Sequence, residues 1–489
     1  MNIPLRRVAV VMLAMFLVLM GAASWIQYFR APDLNTDPRN VRTLYREHGN
    51  NRGPIVVGGE AVAVSTPVDD AFGYQRAYTN GPLYAPVTGF YSVVNGRTKI
   101  ELRANEYLNG TSDSLWWSRL QNLISGEDPQ GSSVELTIDP VVQQAAWDAL
   151  GDQRGAVVAL DPTTGAILAM VSKPSYDPNA LASHVSADAS AAYQALVADE
   201  SDPLFNRAIE GDTYPPGSTF KLVTTAAALE AGSLTPESEI AAPDELPLPQ
   251  SSSVLRNFGG ASCSGTGTTT LADALRVSCN TAYGQLGIDL GAQAISDQAV
   301  EFGFDTDLTI PLRVEPSRFP TESDGEPLDG ATTALSAIGQ ASVRVTPLQV
   351  AMVSAAIANG GELMTPYLIQ QVRTPDLSVA FEADPSVFST PISATTAEQM
   401  RDMMLGVVQS GTGTAAQISG VQVAGKTGTA ETTSDVPPHA WFTGFAPADD
   451  PQVVVAVVIE NGGNLGSEAT GGRAAAPVAR AVMEAVINQ

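Results

Sequence analysis

Residues 155–172 read GAVVALDPTTGAILAMVS, in which two apolar runs flank the turn sequence Asp161-Pro162-Thr163-Thr164-Gly165. Apolar runs joined by Asp, Pro and Gly are typical of a β-hairpin. Three later runs, GVQVAGKTGTAE, HAWFTGFAP and PQVVVAVVIENGG, also predict strands, and alanine-rich helical segments lie between, from Thr219 to about Gly361. The segment APVARAVMEAVIN predicts a closing helix. We therefore predict an α/β (α+β) fold in which the early hairpin joins a late antiparallel sheet and helices pack on its faces.

The composition of the chain changes near residue 132. Residues 33–131 are rich in Gly, Pro, Asn and Tyr, and short apolar pieces such as VTGFYSVV are separated by turn signals. This pattern indicates a small β-rich domain. A strand and a Pro-started helix follow in SVELTIDPVVQQAAWDAL. A second domain is therefore predicted over residues 132–489.

An apolar run of nineteen residues, Val8–Ile26, follows Arg6 and Arg7. A helix of this length spans the ~30 Å hydrocarbon core of a bilayer. A cleaved signal peptide is the alternative, because small residues occur at Ala22, but the apolar cores of such peptides are usually about 7–15 residues long. We expect an uncleaved, single-pass anchor at 8–26, with residues 1–7 as a cytoplasmic tail and the rest of the chain outside the cytoplasm.

The chain is strongly acidic, with 52 acidic and 26 basic residues and a formal net charge of −26. Nucleic acid is not expected as a partner, because phosphate backbones are bound by basic patches. The ATP-binding pattern GxxxxGK[ST] does not occur. The sequence has three histidines and two cysteines, far apart, so no metal site is predicted. We expect no cofactor.

The segment YPPGSTFKLVTTAAALEAG, residues 214–232, places Lys221 in a helix that is apolar on nearly every side. Two prolines and a glycine exclude a helix before Ser218, so the N–H of Ser218 lies at a helix start and is free to bind developing negative charge. Burial lowers the pKa of a lysine, which then accepts a proton from a neighbouring hydroxyl. Ser218 is thus a candidate nucleophile and Lys221 its base. A helix cap beside a surface lysine is the simpler explanation of Ser-x-x-Lys alone.

Two companion motifs follow Ser218 along the chain. In Ser278-Cys279-Asn280 a hydroxyl would relay a proton and an amide would hold a substrate carbonyl, although an ordinary turn has the same composition. In Lys426-Thr427-Gly428-Thr429 a predicted strand presents one cation and two hydroxyls to an anionic carboxylate. Gly428 would let a ligand backbone approach closely. An edge strand protected by an exposed lysine is the alternative for this motif.

Cys263 and Cys279 are the only cysteines of the sequence. Both fall in the portion predicted to be exported, where disulfides form. A bond between them would close a loop of about fifteen residues, for which chain entropy gives about 3 kcal/mol. Because neighbouring residues in a turn point different ways, we hypothesise that Cys279 turns back toward Cys263 and that the disulfide holds the Ser278–Asn280 loop. Two buried free thiols are the alternative.

The ordered set Ser-x-x-Lys, Ser-x-Asn and Lys-Thr-Gly resembles the penicillin-binding proteins and serine β-lactamases. The segments RGAVVALDPTTGAILAMVSKPSYDPN, NRAIEGDTYPPGSTFK, IGQASVRVTPLQVAMVSAAIANGG and VVQSGTGTAA are similar to the transpeptidase domain of class B penicillin-binding proteins. RGPIVV and GFYSVVNGRTKIELRANEYLNG resemble the pedestal, or dimerisation-like, region of that class. The resemblance implies a central antiparallel sheet flanked by helices, a β-rich pedestal over 33–131 and a single N-terminal transmembrane helix.

The resemblance also implies roles in acyl transfer. Ser218 would be the acylated nucleophile, Lys221 the base that activates it, and Ser278 the group that passes the proton to the leaving amine. Lys426 would face Lys221 across a cleft, and this second cation would favour the neutral amine of Lys221.

The remaining motif residues would bind the substrate. The resemblance implies that Asn280 binds the amide side of the substrate. It also implies that the terminal carboxylate of the substrate is bound by Lys426 and Thr427, next to Gly428. Thr429 would add its hydroxyl to that carboxylate and its N–H, with that of Ser218, to an oxyanion hole.

The implied function is that of a serine-type peptidoglycan D,D-transpeptidase. A peptide bond between two terminal D-alanines is broken to form an ester on Ser218, and an amine of a neighbouring stem peptide takes the acyl group. The implied partners are D-Ala-D-Ala donors, amine acceptors, β-lactam antibiotics and other cell-wall assembly proteins. Residues 33–131 are too few for a glycan-polymerising domain, so a polytopic membrane glycosyltransferase is also implied.

Two other functions stay open at this point. A D,D-carboxypeptidase uses the same acylation chemistry and lets water replace the amine. A non-enzymatic sensor or scaffold would bind β-lactams without turnover. A β-lactamase is disfavoured, because no suitable carboxylate motif between Ser278 and Lys426 would activate water for deacylation.

Overall fold

The computed structural model describes residues 2–30, 48–112, 130–211, 213–323, 325–431 and 435–489. Parts of the predicted pedestal, residues 33–47 and 113–129, lie outside the described residues. The helices are α1 (Asn2–Ser24), α2 (Gly81–Thr88), α3 (Lys99–Arg103), α4 (Asn105–Leu108), α5 (Pro140–Leu150), α6 (Ser186–Val197), α7 (Lys221–Glu230), α8 (Leu271–Arg276), α9 (Asn280–Leu290), α10 (Ala292–Glu301), α11 (Gly330–Ala337), α12 (Pro347–Ala358), α13 (Ala394–Ser410) and α14 (Ala476–Ile487).

The strands are β1 (Ile55–Val57), β2 (Glu60–Pro67), β3 (Tyr74–Tyr78), β4 (Tyr91–Ser92), β5 (Gly96–Arg97), β6 (Ser133–Leu136), β7 (Gly155–Leu160), β8 (Ile167–Lys173), β9 (Glu239–Ala241), β10 (Glu245–Pro247), β11 (Val254–Arg256), β12 (Thr268–Thr270), β13 (Leu308–Thr309), β14 (Arg313–Val314), β15 (Glu322–Ser323), β16 (Glu326–Pro327), β17 (Leu363–Met364), β18 (Ile369–Arg373), β19 (Val379–Glu382), β20 (Val387–Ser389), β21 (Ala424–Ala430), β22 (His439–Ala446) and β23 (Val453–Ile459).

A five-stranded sheet in the order β21-β22-β23-β7-β8 forms the centre of the larger portion of the molecule. All four of its pairings are antiparallel. The early hairpin β7–β8 pairs with β23 near the end of the chain, with Val157 opposite Val457. The predicted joining of an early hairpin to a late antiparallel sheet is therefore confirmed.

The apolar runs of the central strands are explained by burial on both faces of this sheet. Every residue of β23 is buried. Val454, Ala456 and Val458 belong to one core cluster, whereas the alternate residues, such as Val455, belong to the second. Side chains of a strand alternate between faces, so a run apolar throughout fills two cores. Helices α5 and α14 pack on one face, and α12 packs on the other.

A second, six-stranded sheet has the order β19-β18-β6-β1-β2-β3. Its β1 and β6 are parallel, with Val56 opposite Glu135, and β18 pairs antiparallel with β6. This sheet combines three strands from the predicted pedestal with three from beyond residue 132. The sequence did not indicate this sharing, and the division into domains stays a prediction.

A buried carboxylate, Glu101, ties the elements of the pedestal together. It accepts hydrogen bonds from Arg52 Nε and Arg76 Nε, both at 2.7 Å, and from Tyr78 Oη at 3.0 Å. Burial would raise the pKa of Glu101, but the charges of Arg76 and Arg52 more than offset burial and hold it below its usual value. Removal of Glu101 would leave the buried charges of Arg52 and Arg76 without their carboxylate, so this network fixes α3 against β3.

The N-terminal helix from Ile3 to Phe29 has 27 residues, and its most apolar stretch of 18 residues has a mean hydropathy of 2.3 and contains no buried residue. It is long and apolar enough to cross a membrane. The predicted anchor, residues 8–26, lies within it.

Candidate active site

Ser218 lies in a single 3₁₀ turn, Gly217–Thr219, that leads directly into α7. Gly217 has φ +53°, and a Cβ there would lie 2.6 Å from the carbonyl oxygen of Thr429. Glycine is therefore needed both for the left-handed backbone and for the close approach of the turn to β21. Just before the turn, Trp441 Nε1 donates to the carbonyl of Pro215 at 3.1 Å. The nucleophile candidate is thus held against the edge of the central sheet.

Lys221 is the first residue of α7 and is fully buried. Its Nζ donates to Asn280 Oδ1 at 2.8 Å and to the Ser278 carbonyl at 2.9 Å, and lies 3.4 Å from Ser278 Oγ. Burial, with a smaller contribution from the charge of Lys426, holds the pKa of Lys221 well below its usual value. Within the described residues, no hydrogen bond links Lys221 to the Ser218 hydroxyl. In this structure the Lys221 amine is therefore held by Ser278 and Asn280, the two polar residues of the Ser-x-Asn motif.

Ser278 has φ +61°, a left-handed conformation that is uncommon for a residue with a side chain. Ser278 follows α8, and two backbone hydrogen bonds close that helix. The N–H of Ser278 donates to the Leu275 carbonyl at 3.1 Å, and the N–H of Cys279 donates to the Ala274 carbonyl at 2.8 Å. This pair of bonds is the Schellman termination, in which glycine usually occupies the position that Ser278 takes here. The strain is retained at a position that turns a hydroxyl toward both lysines.

Lys426 lies in β21 and is also fully buried. Its Nζ donates to Ser278 Oγ at 2.9 Å and to the Thr427 carbonyl at 2.8 Å. Burial lowers the pKa of Lys426 to about 7. The expectation that Lys426 faces Lys221 across a cleft is wrong, because both amines converge on the Ser278 hydroxyl. The expectation that a second cation favours the neutral amine of Lys221 agrees with the lowered pKa of Lys221.

An open cleft of about 930 Å³ exposes the three motifs together. Its lining includes Ser218, Ser278, Asn280, Thr427, Gly428 and Thr429, and one wall is formed by residues 254–263. The two motif lysines lie behind these residues. Because β21 is at the edge of its sheet, its outer backbone groups are available to an extended ligand.

The sequence did not single out Thr412, which follows α13. Its Oγ1 lies 2.6 Å from Thr427 Oγ1 and sets the orientation of that hydroxyl. Thr412 lies in VVQSGTGTAA, a segment similar to the transpeptidase domain of class B penicillin-binding proteins. A Cβ at Gly428 would lie 2.9 Å from the carbonyl oxygen of Pro216 and 2.9 Å from Trp441 Cβ. Close packing of β21 against the Ser218 turn requires this glycine.

Cys263 and Cys279 form a disulfide with a Cα–Cα distance of 5.9 Å, as predicted. Cys279 lies between Ser278 and Asn280, and it is buried while its two neighbours are half-buried at the cleft. The disulfide therefore joins the wall formed by residues 254–263 to the back of the Ser-x-Asn motif.

Comparison with known proteins places this cleft in a family. Residues 155–484 match the penicillin-binding protein transpeptidase domain, and residues 52–134 match the penicillin-binding protein A dimerisation domain. The chain is 45% identical to the peptidoglycan D,D-transpeptidase PbpA of Mycolicibacterium smegmatis, with all of both chains covered. It is also 45% identical to PbpA of Mycobacterium tuberculosis, over 100% of this chain and 99% of that one.

Solved structures agree with this relationship. The ceftriaxone acyl-enzyme complex of penicillin-binding protein A from M. tuberculosis matches with a TM-score of 0.86 and 43% identity, over 91% of this chain and 100% of that one. The penicillin G acyl-enzyme complex of the same protein gives a TM-score of 0.84 and 44% identity, over 90% and 100% of the two chains. The chain belongs to the penicillin-binding protein transpeptidase family.

Proposed function

We propose that this protein is a membrane-anchored peptidoglycan D,D-transpeptidase that forms an acyl-enzyme on Ser218 and is inactivated by β-lactams. The observation that carries the proposal is the convergence of two buried lysines on the hydroxyl of Ser278, in one cleft with Ser218. The names of the mycobacterial relatives and the acyl-enzyme structures support the same reaction.

In the proposed acylation, Ser218 Oγ attacks the carbonyl carbon of the penultimate D-alanine, and the neutral amine of Lys221 takes the hydroxyl proton. A shift of Lys221 Nζ from its present acceptors toward Ser218 accompanies this step. The N–H groups of Ser218 and Thr429 stabilise the oxyanion, each typically worth about 3–4 kcal/mol in the barrier. Ser218 is half-buried and lies before α7, where its N–H has no partner within the helix.

Breakdown of the intermediate needs a proton on the leaving nitrogen. Ser278 Oγ contacts the amines of both Lys221 and Lys426, so it relays that proton as the C–N bond breaks and the Ser218 ester remains. The amine of a second stem peptide then attacks the ester, and Ser218 recovers its proton. The chemical energy of the amide is conserved in the ester, so the exchange needs no ATP.

The remaining polar groups of the cleft orient the donor. The donor backbone adds to the edge of β21, and Asn280 holds its amide side. The hydroxyls of Thr427 and Thr429 bind the terminal carboxylate, while Lys426 supplies positive charge from behind them. An arriving carboxylate favours the charged form of Lys426, whose pKa in the free protein is about 7.

The anchor and the domain division belong to the same proposal. The chain crosses the membrane once at 8–26 with residues 1–7 in the cytoplasm, the pedestal covers 33–131, and the transpeptidase domain covers 132–489. Arg6 and Arg7 before the apolar run support this orientation. A polytopic membrane glycosyltransferase and other cell-wall assembly proteins are the partners that this arrangement requires, since the glycan strands come from elsewhere.

The proposal is tested with the full-length protein in detergent, a thioester donor and a D-amino acid acceptor. A transpeptidase forms the transfer product in proportion to acceptor concentration. Release of free acid alone would assign a D,D-carboxypeptidase instead. Labelling by penicillin without turnover of the donor would assign a sensor or scaffold.

Two substitutions of Ser278 separate its chemistry from its backbone strain. Ser278→Ala and Ser278→Gly are both expected to lose acylation, because each removes the hydroxyl between the two lysines. The left-handed region costs an L-residue about 1–2 kcal/mol, which glycine does not pay, so Ser278→Gly is expected to be about 1 kcal/mol more stable than Ser278→Ala. Fluorescent-penicillin labelling and urea unfolding measure the two effects. Labelling of Ser278→Ala at the wild-type rate would exclude the proton relay.

A further inference from the structure

Helix α9 begins with Asn280 but lacks a side-chain cap of its own. Cys279 occupies the N-cap position, but its side chain accepts no hydrogen bond from a backbone N–H of the helix, and its sulfur is bonded to Cys263. The first N–H groups of a helix have no partner within it, and a nearby Ser, Thr, Asn or Asp usually accepts from them. For α9, which carries a motif residue in its first turn, the acceptor comes from a distant part of the chain.

Asn257 supplies that acceptor. Its Oδ1 accepts from the N–H of Asn280 at 2.8 Å, from the N–H of Thr281 at 3.1 Å and from Thr281 Oγ1 at 3.4 Å. Its Nδ2 donates to the Ala261 carbonyl at 3.1 Å, so both ends of the amide are bonded. The residue is 8% exposed. It is therefore a built acceptor for two consecutive N–H groups.

The same wall of the cleft also holds the side chain of Asn280. Asn280 Nδ2 donates to the carbonyl of Arg256 at 3.2 Å, and Asn280 Oδ1 accepts from Lys221 Nζ at 2.8 Å. Two neighbouring residues of the wall thus fix both the backbone and the side chain of Asn280. At the other end of the wall, Cys263 is bonded to Cys279.

We propose that Asn257 is a positioning residue for acylation. It acts as an external cap that sets the position of Asn280 at the start of α9 and of Ser278, which precedes the helix by two residues. This inference rests on the proposed function. Loss of the cap frees the first turn of α9, and two acceptors of the Lys221 amine, Asn280 Oδ1 and the Ser278 carbonyl, move with it. A displacement of about 1 Å at such a group costs about 100-fold in rate.

The test compares Asn257→Leu, which has a similar size but no acceptor, with Asn257→Asp, which keeps the acceptor. The control is Asp139→Ala, because Asp139 caps α5 by accepting from the N–H groups of Val141 at 2.8 Å and Val142 at 3.0 Å. Full-length proteins are mixed with fluorescent penicillin in a stopped-flow instrument, and the acylation rate constant k2 is resolved from the dissociation constant Ks of the preceding complex.

Asn257→Leu is expected to lower k2 by about 100-fold with little change in Ks, whereas Asn257→Asp keeps k2 close to the wild-type value. Asp139→Ala and Asn257→Leu are expected to lower the Tm by a similar amount, about 2–4 °C, but Asp139→Ala leaves k2 unchanged. If Asn257→Leu does not fold, Asn257→Ala serves as the acceptor-free variant with the same expectation.

A wild-type k2 in the acceptor-free variant, or equal k2 values for Asn257→Asp and the acceptor-free variant, would overturn the positioning role while leaving the proposed function intact. A loss of k2 in Asp139→Ala equal to that in the acceptor-free variant would assign the effect to stability alone and would also overturn it. Failure of the wild-type protein to become labelled would instead overturn the proposed function.

Discussion

Ser218→Ala is expected to abolish covalent labelling by penicillin and to lower transfer from a thioester donor by about 10⁶-fold, the scale seen when a serine nucleophile is removed. The reason is that the Ser218 hydroxyl is the proposed site of acyl attachment. The fold is expected to survive, because this hydroxyl makes no hydrogen bond within the described part of the chain. Mass spectrometry of the intact protein and of its peptides measures the adduct.

A matched control for this substitution is Ser262→Ala. Ser262 lines the same cleft, and its hydroxyl accepts only from the N–H of Gly265, at 2.9 Å, among the described residues. The Ser262→Ala protein is expected to be labelled by penicillin on Ser218 at the wild-type rate. An adduct on any other residue of the wild-type protein, or one that persists in Ser218→Ala, would refute the assignment of the nucleophile.

Lys221→Met is expected to lower the acylation rate by about 10²–10⁴-fold, the usual contribution of a general base. Methionine fills the same fully buried space without an amine. In the wild-type protein the rate should fall as the pH falls through the lowered pKa of Lys221, because a protonated amine cannot accept the Ser218 proton. This acid limb should disappear in Lys221→Met. Stopped-flow acylation across the pH range measures both effects.

Lys173→Met provides the matched control for Lys221. Like the amine of Lys221, that of Lys173 is held by oxygen acceptors, the backbone carbonyls of Trp147 at 2.9 Å and Gly151 at 2.6 Å, and burial lowers its pKa. Its replacement is expected to reduce stability and leave the acylation rate and its acid limb unchanged. Acylation of Lys221→Met at the wild-type rate would contradict the role of the base.

The central sheet was predictable from the sequence because its strands leave a strong pattern. Runs such as Val453–Ile459 are apolar at every position, which indicates burial on both faces, and the turn 161–165 joins β7 to β8. The three motifs were also recognisable as short patterns in a fixed order. The structure brings all of them to one cleft, and their separate chemical roles remain proposals.

The features that were missed depend on contacts between distant segments. The pairing of β1 with β6 and of β6 with β18 leaves no local signal, because each strand is short and its partner is set by the whole fold. The left-handed backbone of Ser278 was hidden because glycine is the usual residue at that position. The bond between Thr412 and Thr427 likewise joins two threonines whose spacing along the chain suggests nothing.

The six-stranded sheet determines how a mechanical load passes through the molecule. A pull between residues 55–78 and the rest of the chain would be shared by the ladders β1–β6 and β6–β18, in which rows of backbone hydrogen bonds carry the force side by side. A single flexible tether would swing and stretch before it transmitted any pull. The paired strands instead hold β1, β2 and β3 at a fixed tilt to β6 and β18, so residues 55–78 move as one piece with the sheet that joins them to the rest of the chain.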